Sequence, residues 1–139
     1  MEDAETIMVY LITGKSGAGK THYATALLQE LKFEGKKAIM LDGDQFRESK
    51  GNSDFSDRGR IQNLMNAAVE AQRLENLGFV VILAFIAPKK RWRDSMCSYW
   101  KESRIIYLPG GSLWPGTEYE KPDDMEVKDD GVSGFRGRR

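Results

Sequence analysis

The chain has 139 residues, 40% of them hydrophobic, and its 21 basic and 21 acidic residues cancel to a formal charge of zero. That length suits one domain with a buried core of its own, and the balanced charge gives no overall field that would favour nucleic acid or a membrane surface as a partner. A single cysteine and a single histidine exclude a disulfide framework and a Cys/His zinc site.

The first half of the chain alternates between apolar strands and amphipathic segments. The continuous apolar run at residues 7–12 predicts a buried strand. A helix is predicted over residues 20–31, and Gly35 marks the break that ends it. Residues 38–41 predict a second strand, whereas the polar stretch 46–60 indicates a loop with room for a short helix.

The second half repeats this alternation. A helix is predicted from residue 61 up to Gly78, a natural C-terminal cap. Residues 79–86 predict the strongest strand, residues 90–101 a further helix, and residues 104–108 a fourth strand. The alternation of strands and helices predicts an α/β fold, a parallel sheet of about five strands with helices on both faces.

The chain changes character after the fourth predicted strand, because glycines and prolines punctuate it. Residues 125–127 predict a short last strand, and residues 129–139 are polar and glycine-rich. We therefore expect one domain over 1–128 followed by a flexible tail. The acidic first residues lack an apolar signal core, and the longest apolar run, 79–87, is too short to span a bilayer, so a cytoplasmic protein is expected.

The most informative motif follows the first strand. Residues 14–21 fit the pattern G-x-x-x-x-G-K-[ST] in full, as Gly14, Lys15, Ser16, Gly17, Ala18, Gly19, Lys20 and Thr21. Its glycines let backbone N–H groups curl around phosphate, Lys20 reaches the β- and γ-phosphates, and the Thr21 hydroxyl binds magnesium. A glycine-rich turn without a ligand is the alternative. The single histidine, His22, is interpreted as a helix surface residue.

A pair of carboxylates follows the second strand. Asp42 and Asp44 would meet the phosphate-binding loop at one edge of the sheet, because ligands bind beyond the carboxyl ends of parallel strands. One carboxylate can hold magnesium or its water shell, and the other can accept the proton of an acceptor hydroxyl. The alternative is a polar turn, since Asp-Gly is common in turns.

Four segments around these carboxylates carry a more specific pattern. Residues 41–47 read L-D-G-D-Q-F-R, residues 55–63 read F-S-D-R-G-R-I-Q-N, residues 85–88 read F-I-A-P, and residues 114–122 read W-P-G-T-E-Y-E-K-P. They resemble the adenylylsulfate (APS) kinase segments L-D-G-D-N-x-R, F-S-x-x-D-R-x-x-N, F-I-S-P and a shortened F-T-G-I-D-x-P-Y-E-x-P. The resemblance covers most of residues 7–122.

The resemblance implies the P-loop NTPase fold and phosphorylation of the 3′-hydroxyl of APS by ATP with Mg²⁺, giving PAPS. By position, Asp44 would be the base, Lys20 and Asp42 would complete the catalytic set, and Thr21 and Asp42 would lie at the metal. The acceptor nucleotide would be bound by Arg47, Phe55, Arg60, Asn63, Ile86, Ala87 and Trp114. Phe55 and Trp114 would sandwich its adenine, unless Phe55 only anchors a loop and Trp114 only covers the core.

The chain departs from the family at several positions. The family carries a basic lid after the fourth strand, and residues 109–113 leave no room for one. Cations that could substitute are Lys15, Lys89, Lys90, Arg91 and Arg93. Gln45, Gly59 and Lys89 also differ from the family residues. A kinase for another hydroxyl acceptor and a nucleotide-binding module with little catalysis therefore stay open. The expected partners are ATP and an APS-like nucleotide, and a homodimer is left open.

Overall fold

The computed structural model describes residues 8–113, 118–123 and 127–129. The strands are β1 (Val9–Thr13), β2 (Ala38–Asp42), β3 (Val80–Ala84), β4 (Ser103–Tyr107) and β5 (Val127–Asp129). They form one sheet in the order β2-β3-β1-β4-β5, and every neighbouring pair is parallel. The predicted parallel sheet is confirmed, with β1 and its following loop at the centre.

Helices cover both faces of the sheet, as predicted. They are α1 (Lys20–Phe33), α2 (Gly43–Ser49), α3 (Asp57–Asn76) and α4 (Lys90–Cys97). Alternate residues of each central strand point to opposite faces. Val9 and Leu11 of β1 therefore pack with residues of α3 and α4, whereas Tyr10 and Ile12 pack with residues of α1.

Side-chain caps explain where the helix predictions were wrong. The polar stretch 46–60 does contain the short helix that the prediction allowed, but α2 already begins at Gly43, and α3 begins at Asp57 instead of residue 61. The Asp42 carboxylate accepts hydrogen bonds from the first N–H groups of α2, and the Ser56 hydroxyl accepts one from Gly59 of α3. Such caps satisfy N–H groups that have no partner within the helix.

Two elements of the second half are shorter than predicted. Strand β3 covers Val80–Ala84, and α4 ends at Cys97 instead of residue 101. The chain turns there to bury Trp100, whose indole N–H donates to the carbonyl of Ala68 on α3 at 3.0 Å. Burying this large side chain outweighs another helical turn.

The C-terminal part of the chain is described only in short pieces. The last strand is Val127–Asp129, whereas residues 124–126 and the predicted tail from 130 onwards lie outside the described residues. Among the residues that are described, no helix combines the length and apolar composition needed to cross a membrane.

Candidate active site

A cleft of about 690 Å³ opens where β1, β2 and β3 end. The predicted site residues that line it are Ser16, Gly17, Gly19, Lys20, Thr21, Asp42, Asp44, Arg47, Phe55, Arg60, Asn63, Ile86 and Ala87. His22, which we interpreted as a helix surface residue, also lines the cleft. The parallel sheet thus brings residues that follow β1, β2 and β3 together at one edge. Trp114 lies outside the described residues.

The loop after β1 has the backbone conformation of a phosphate cradle. Gly17 and Gly19 have φ values of 84° and 98°, which glycine adopts at little cost. At Gly14 a Cβ atom would lie only 2.6 Å from the carbonyl oxygen of Leu108. Helix α1 begins at Lys20, so the positive end of its dipole faces an anion held by this loop.

The Lys20 ammonium lies between the loop and the two carboxylates. Its Nζ donates to the carbonyl oxygen of Lys15 at 2.9 Å. Burial lowers the pKa of Lys20, while the charges of Asp44 and Asp42 act in the opposite direction. A half-buried cation in this position can neutralise phosphate oxygens.

Asp42 performs two structural tasks at once. Its Oδ1 accepts hydrogen bonds from the backbone N–H groups of Asp44 and Gln45, at 3.1 and 3.3 Å. Its Oδ2 accepts one from the Thr21 hydroxyl at 2.8 Å. The first contact fixes the start of α2, which carries the exposed Asp44 into the cleft. The second links β2 to the phosphate-binding loop.

Arg47 is held by the loop that joins α2 to α3. Its Nη1 donates to the carbonyl oxygen of Asp54 at 2.8 Å and to Oδ1 of Asn52 at 3.3 Å. The guanidinium carbon lies 4.7 Å from the centre of the Phe55 ring, a cation–π distance. Phe55 is 63% exposed, so its ring contacts Arg47 and still leaves a surface for a ligand.

Asn52 is a contributor that the sequence did not reveal. Besides accepting from Arg47, its Oδ1 accepts from the N–H of Asp54 at 2.9 Å. Its Nδ2 donates to the carbonyl oxygen of Gly59 at 2.9 Å. One amide therefore joins the end of α2, the loop and the first turn of α3. No motif indicated this role, because it depends on how the loop folds back.

Gly59 departs from the family pattern for a steric reason. A Cβ atom at Gly59 would lie 2.0 Å from the carbonyl oxygen of Asp54 and 2.6 Å from its carboxyl carbon. The loop therefore leaves no space for the aspartate that the family carries here, and the side chain of Asp54 occupies that region.

Arg60 and Asn63 lie one helical turn apart on α3, as predicted, and both line the cleft. Burial lowers the pKa of Arg60, and the nearby charge of Arg47 lowers it further against the opposing effect of Asp57. Asn63 is buried, and its Oδ1 has no hydrogen-bond partner among the described residues. Such an atom is ready to accept a hydrogen bond from a ligand.

Ile86 and Ala87 form one wall of the cleft, and hydrogen bonds from Thr13 and Arg93 hold their backbone in place. The Thr13 hydroxyl donates to the carbonyl oxygen of Ile86. Ala87 has a φ of 44°, unusual for a residue other than glycine. Its carbonyl oxygen accepts a 2.7 Å hydrogen bond from Nη1 of Arg93, and Nη2 of Arg93 donates to the carbonyl oxygen of Glu120 at 2.7 Å.

These contacts reduce the set of residues that could supply positive charge in place of the family's basic lid. Arg93 is fully buried and binds backbone carbonyls, so it is not a cation for phosphate. Lys89 Nζ lies 4.0 Å from Glu120, and Lys90 Nζ lies 3.0 Å from Asp94. Among the described residues that line the cleft, the lysine and arginine side chains are those of Lys20, Arg47 and Arg60.

Comparisons with known proteins agree with this geometry. The family model described as adenylylsulphate kinase matches residues 5–108. The adenylyl-sulfate kinase of Burkholderia ambifaria is 40% identical over 106 residues, which cover 75% of this chain and 54% of that protein. The adenylyl-sulfate kinase of Paraburkholderia xenovorans is 45% identical over 87 residues, which cover 61% and 48%. The chain spans about half the length of the curated relatives it matches.

A solved structure supports the same likeness in three dimensions. The APS kinase of Mycobacterium tuberculosis in complex with AMPPNP and APS superposes with a TM-score of 0.67 at 26% identity, covering 72% of this chain and 61% of that one. The superposition supports the α/β fold described above.

Proposed function

Because the chain belongs to the adenylylsulphate kinase family, we propose that it transfers the γ-phosphoryl group of ATP to the 3′-hydroxyl of APS, giving ADP and PAPS. The observation that carries the proposal is the single cleft in which a phosphate-binding loop faces a carboxylate and an arginine- and aromatic-lined wall. Phosphoryl transfer needs positioning and charge stabilisation, and these groups supply both.

The phosphates of ATP would bind on the loop of residues 14–21. Its backbone N–H groups and the start of α1 attract the β- and γ-phosphates. Lys20 would leave the carbonyl of Lys15, now 2.9 Å away, for the phosphate oxygens. Its charge offsets the negative charge that the reaction shifts toward the leaving oxygen.

Thr21 and Asp42 would hold Mg²⁺. Hydroxyl and carboxylate oxygens are the ligands this ion prefers, and the two side chains are already joined at 2.8 Å. A hydroxyl that donates its proton to Asp42 keeps its lone pairs for a cation. When bound, Mg²⁺ neutralises phosphate charge and orients the phosphoryl group.

Asp44 would accept the proton of the attacking hydroxyl. It is exposed in the first turn of α2 and lines the cleft. Arg47 and Arg60, which line the same cleft, offer two guanidinium groups to the phosphate and sulfate of APS. Phe55 offers a ring for stacking on adenine, and Asn63 offers its unpartnered oxygen.

Two alternatives each have an observation in their favour. A different hydroxyl acceptor is favoured by the loop around Gly59, which has no space for the family carboxylate. A nucleotide-binding module with little catalysis is favoured by the short segment 109–113, where the family has a lid.

The test is to incubate purified protein with magnesium and γ-labelled ATP, with and without APS, and to separate the products. Labelled PAPS that is lost in Lys20→Ala and Asp44→Ala would support the proposal. Glu48→Ala is the matched control, because Glu48 is an exposed carboxylate on α2 and does not line the cleft. ATP binding without labelled PAPS would contradict APS as the acceptor, and a screen of other hydroxyl acceptors would then separate the two alternatives.

A further inference from the structure

The residues that follow β4 fold back onto the phosphate-binding loop. The N–H of Leu108 donates to the carbonyl oxygen of Thr13 at 3.0 Å, and the N–H of Ser112 donates to that of Ser16 at 2.9 Å. Ser16 and Ser112 form an antiparallel bridge outside the main sheet. The segment that replaces a lid therefore makes backbone contacts with the loop that would hold ATP.

This contact depends on a glycine. Gly111 has a φ of 74°, and a Cβ atom there would lie 2.4 Å from the carbonyl oxygen of Ser16 and 3.0 Å from the nitrogen of Ala18. The atoms that surround this position belong to the backbone of Ser16 and Ala18. Backbone atoms cannot move aside by a rotamer change, as the end of a side chain can. A side chain at this position has to push the phosphate-binding loop.

The bridge fixes the orientation of one peptide unit in the cradle. In a trans peptide the C=O and the following N–H point in opposite directions. Because the Ser16 carbonyl is bonded to Ser112, the N–H of Gly17 has to point away from Ser112. Ser16 and Gly17 both line the cleft, where a phosphate oxygen would accept that N–H.

We propose that Gly111 and Ser112 form a brace that holds the peptide unit between Ser16 and Gly17 in the phosphate-binding orientation before nucleotide arrives. Gly111 is then a positioning residue for ATP. This inference rests on the nucleotide-binding half of the proposed function and does not depend on the acceptor. Preformed donors bind an anion more tightly because their ordering cost is met during folding.

Two adjacent glycines provide the test. Gly110 and Gly111 both have positive φ, 96° and 74°, so alanine strains the backbone at either position. A Cβ atom at Gly110 meets nothing within 4 Å, whereas one at Gly111 collides with Ser16. The dissociation constant of MgADP is measured by calorimetry for wild type, Gly110→Ala and Gly111→Ala, together with the unfolding temperature of each.

We expect Gly111→Ala to bind MgADP about tenfold more weakly than Gly110→Ala, which corresponds to one hydrogen bond to a charged group. Its unfolding temperature should also fall somewhat further, because only the Cβ atom at position 111 collides with backbone. Equal dissociation constants would overturn the brace.

Amide hydrogen exchange on the nucleotide-free wild type gives a second readout that needs no variant. Slow exchange of the Ser112 N–H is expected, and fast exchange would overturn the proposal. A wild-type protein that binds no MgADP would instead contradict the proposed function. The exchange rate of the Ser112 N–H would still show whether the brace is formed.

Discussion

The loop of residues 14–21 contacts the segment after β4 through backbone atoms, whereas the loop between α2 and α3 depends on the side chains of Arg47 and Asn52 in addition to its backbone hydrogen bonds. Gly14 and Gly111 lie so close to Leu108 and Ser16 that no side chain fits between them. Across the cleft, the amide of Asn52 alone joins three separate pieces of chain.

The difference separates chemistry that depends on the main chain from chemistry that depends on side chains within one fold. A cradle made of main chain offers phosphate the same N–H groups whatever the neighbouring side chains are. A wall organised by side chains can be altered by one or two substitutions without disturbing the cradle. We therefore expect substitutions on the two sides to affect different constants, which can be measured separately.

The largest effect is expected at Asp42, which contributes to both sides. Asp42→Asn keeps an oxygen that caps α2 but loses the charge beside Thr21, and should lower kcat about 10²-fold. Asp42→Ala should lower kcat as much and also cost about 1 kcal/mol of stability, the worth of a helix cap. Steady-state kinetics and urea unfolding measure the two quantities, and equal stability of the two variants would contradict the capping role.

A substantial loss of stability is expected for Gly59→Ala. Within a helix this change usually stabilises by about 0.5–1 kcal/mol, but here the added Cβ would collide with the carbonyl of Asp54. The free energy of unfolding should fall by about 1–3 kcal/mol, as for other overpacked sites. Arg58→Ala, an exposed change in the same turn, is the control, and unfolding in urea is the measurement. A gain in stability would show that the loop can move aside.

A smaller effect is expected at Asn52, and it should be confined to the acceptor. Asn52→Leu removes the contacts to Arg47, Asp54 and Gly59, and should raise the KM for the acceptor about tenfold, comparable to the loss of one or two hydrogen bonds. Asn52→Asp keeps both accepted bonds but loses the one donated to Gly59, so a smaller increase in the KM for the acceptor is expected. Ser53→Ala is the control, and parallel increases in the KM of ATP and acceptor would argue for a general structural role.

The smallest effect is expected for the charge of Lys20 in the nucleotide-free protein. Burial lowers the pKa of Lys20 below its ordinary value of 10.5, so the folded state holds this proton less tightly than the unfolded state. Lys20→Met should therefore stabilise the protein at neutral pH, by about 1 kcal/mol or less because solvent screens the half-buried ammonium.

The pH dependence of this gain has a definite sign. Wild-type stability rises relative to the variant as pH increases from the lowered pKa of Lys20 towards 10.5, because the unfolded state binds more protons in that interval. The advantage of Lys20→Met should shrink there in urea titrations. Lys32→Met, at an exposed lysine of the same helix, should show no such trend, and a gain that grows with pH would contradict the assignment.

Local patterns predicted the sheet and the phosphate-binding loop, because both depend on neighbours in sequence. Apolar runs indicated the strands, and the glycine spacing indicated the turn before α1. Features that depend on distant partners were missed or misassigned. Arg93 was named as a cation that could substitute for the lid, yet it donates to the carbonyl of Glu120, 27 positions away. The role of Asn52 depends on a loop reversal that brings Gly59, 7 positions away, to its amide.

The buried contacts behind Ala87 also have a consequence for the order of folding. Thr13 Oγ1 lies 2.7 Å from the hydroxyl of Tyr119, across 106 positions of sequence, and Arg93 reaches Glu120 beside it. Contacts of such separation are slow to form, since the intervening chain has to be ordered first. We expect the wall at Ile86 and Ala87 to be completed only after residues 119 and 120 have left the ribosome, later than the contacts of Gly111 and Ser112 with the cradle.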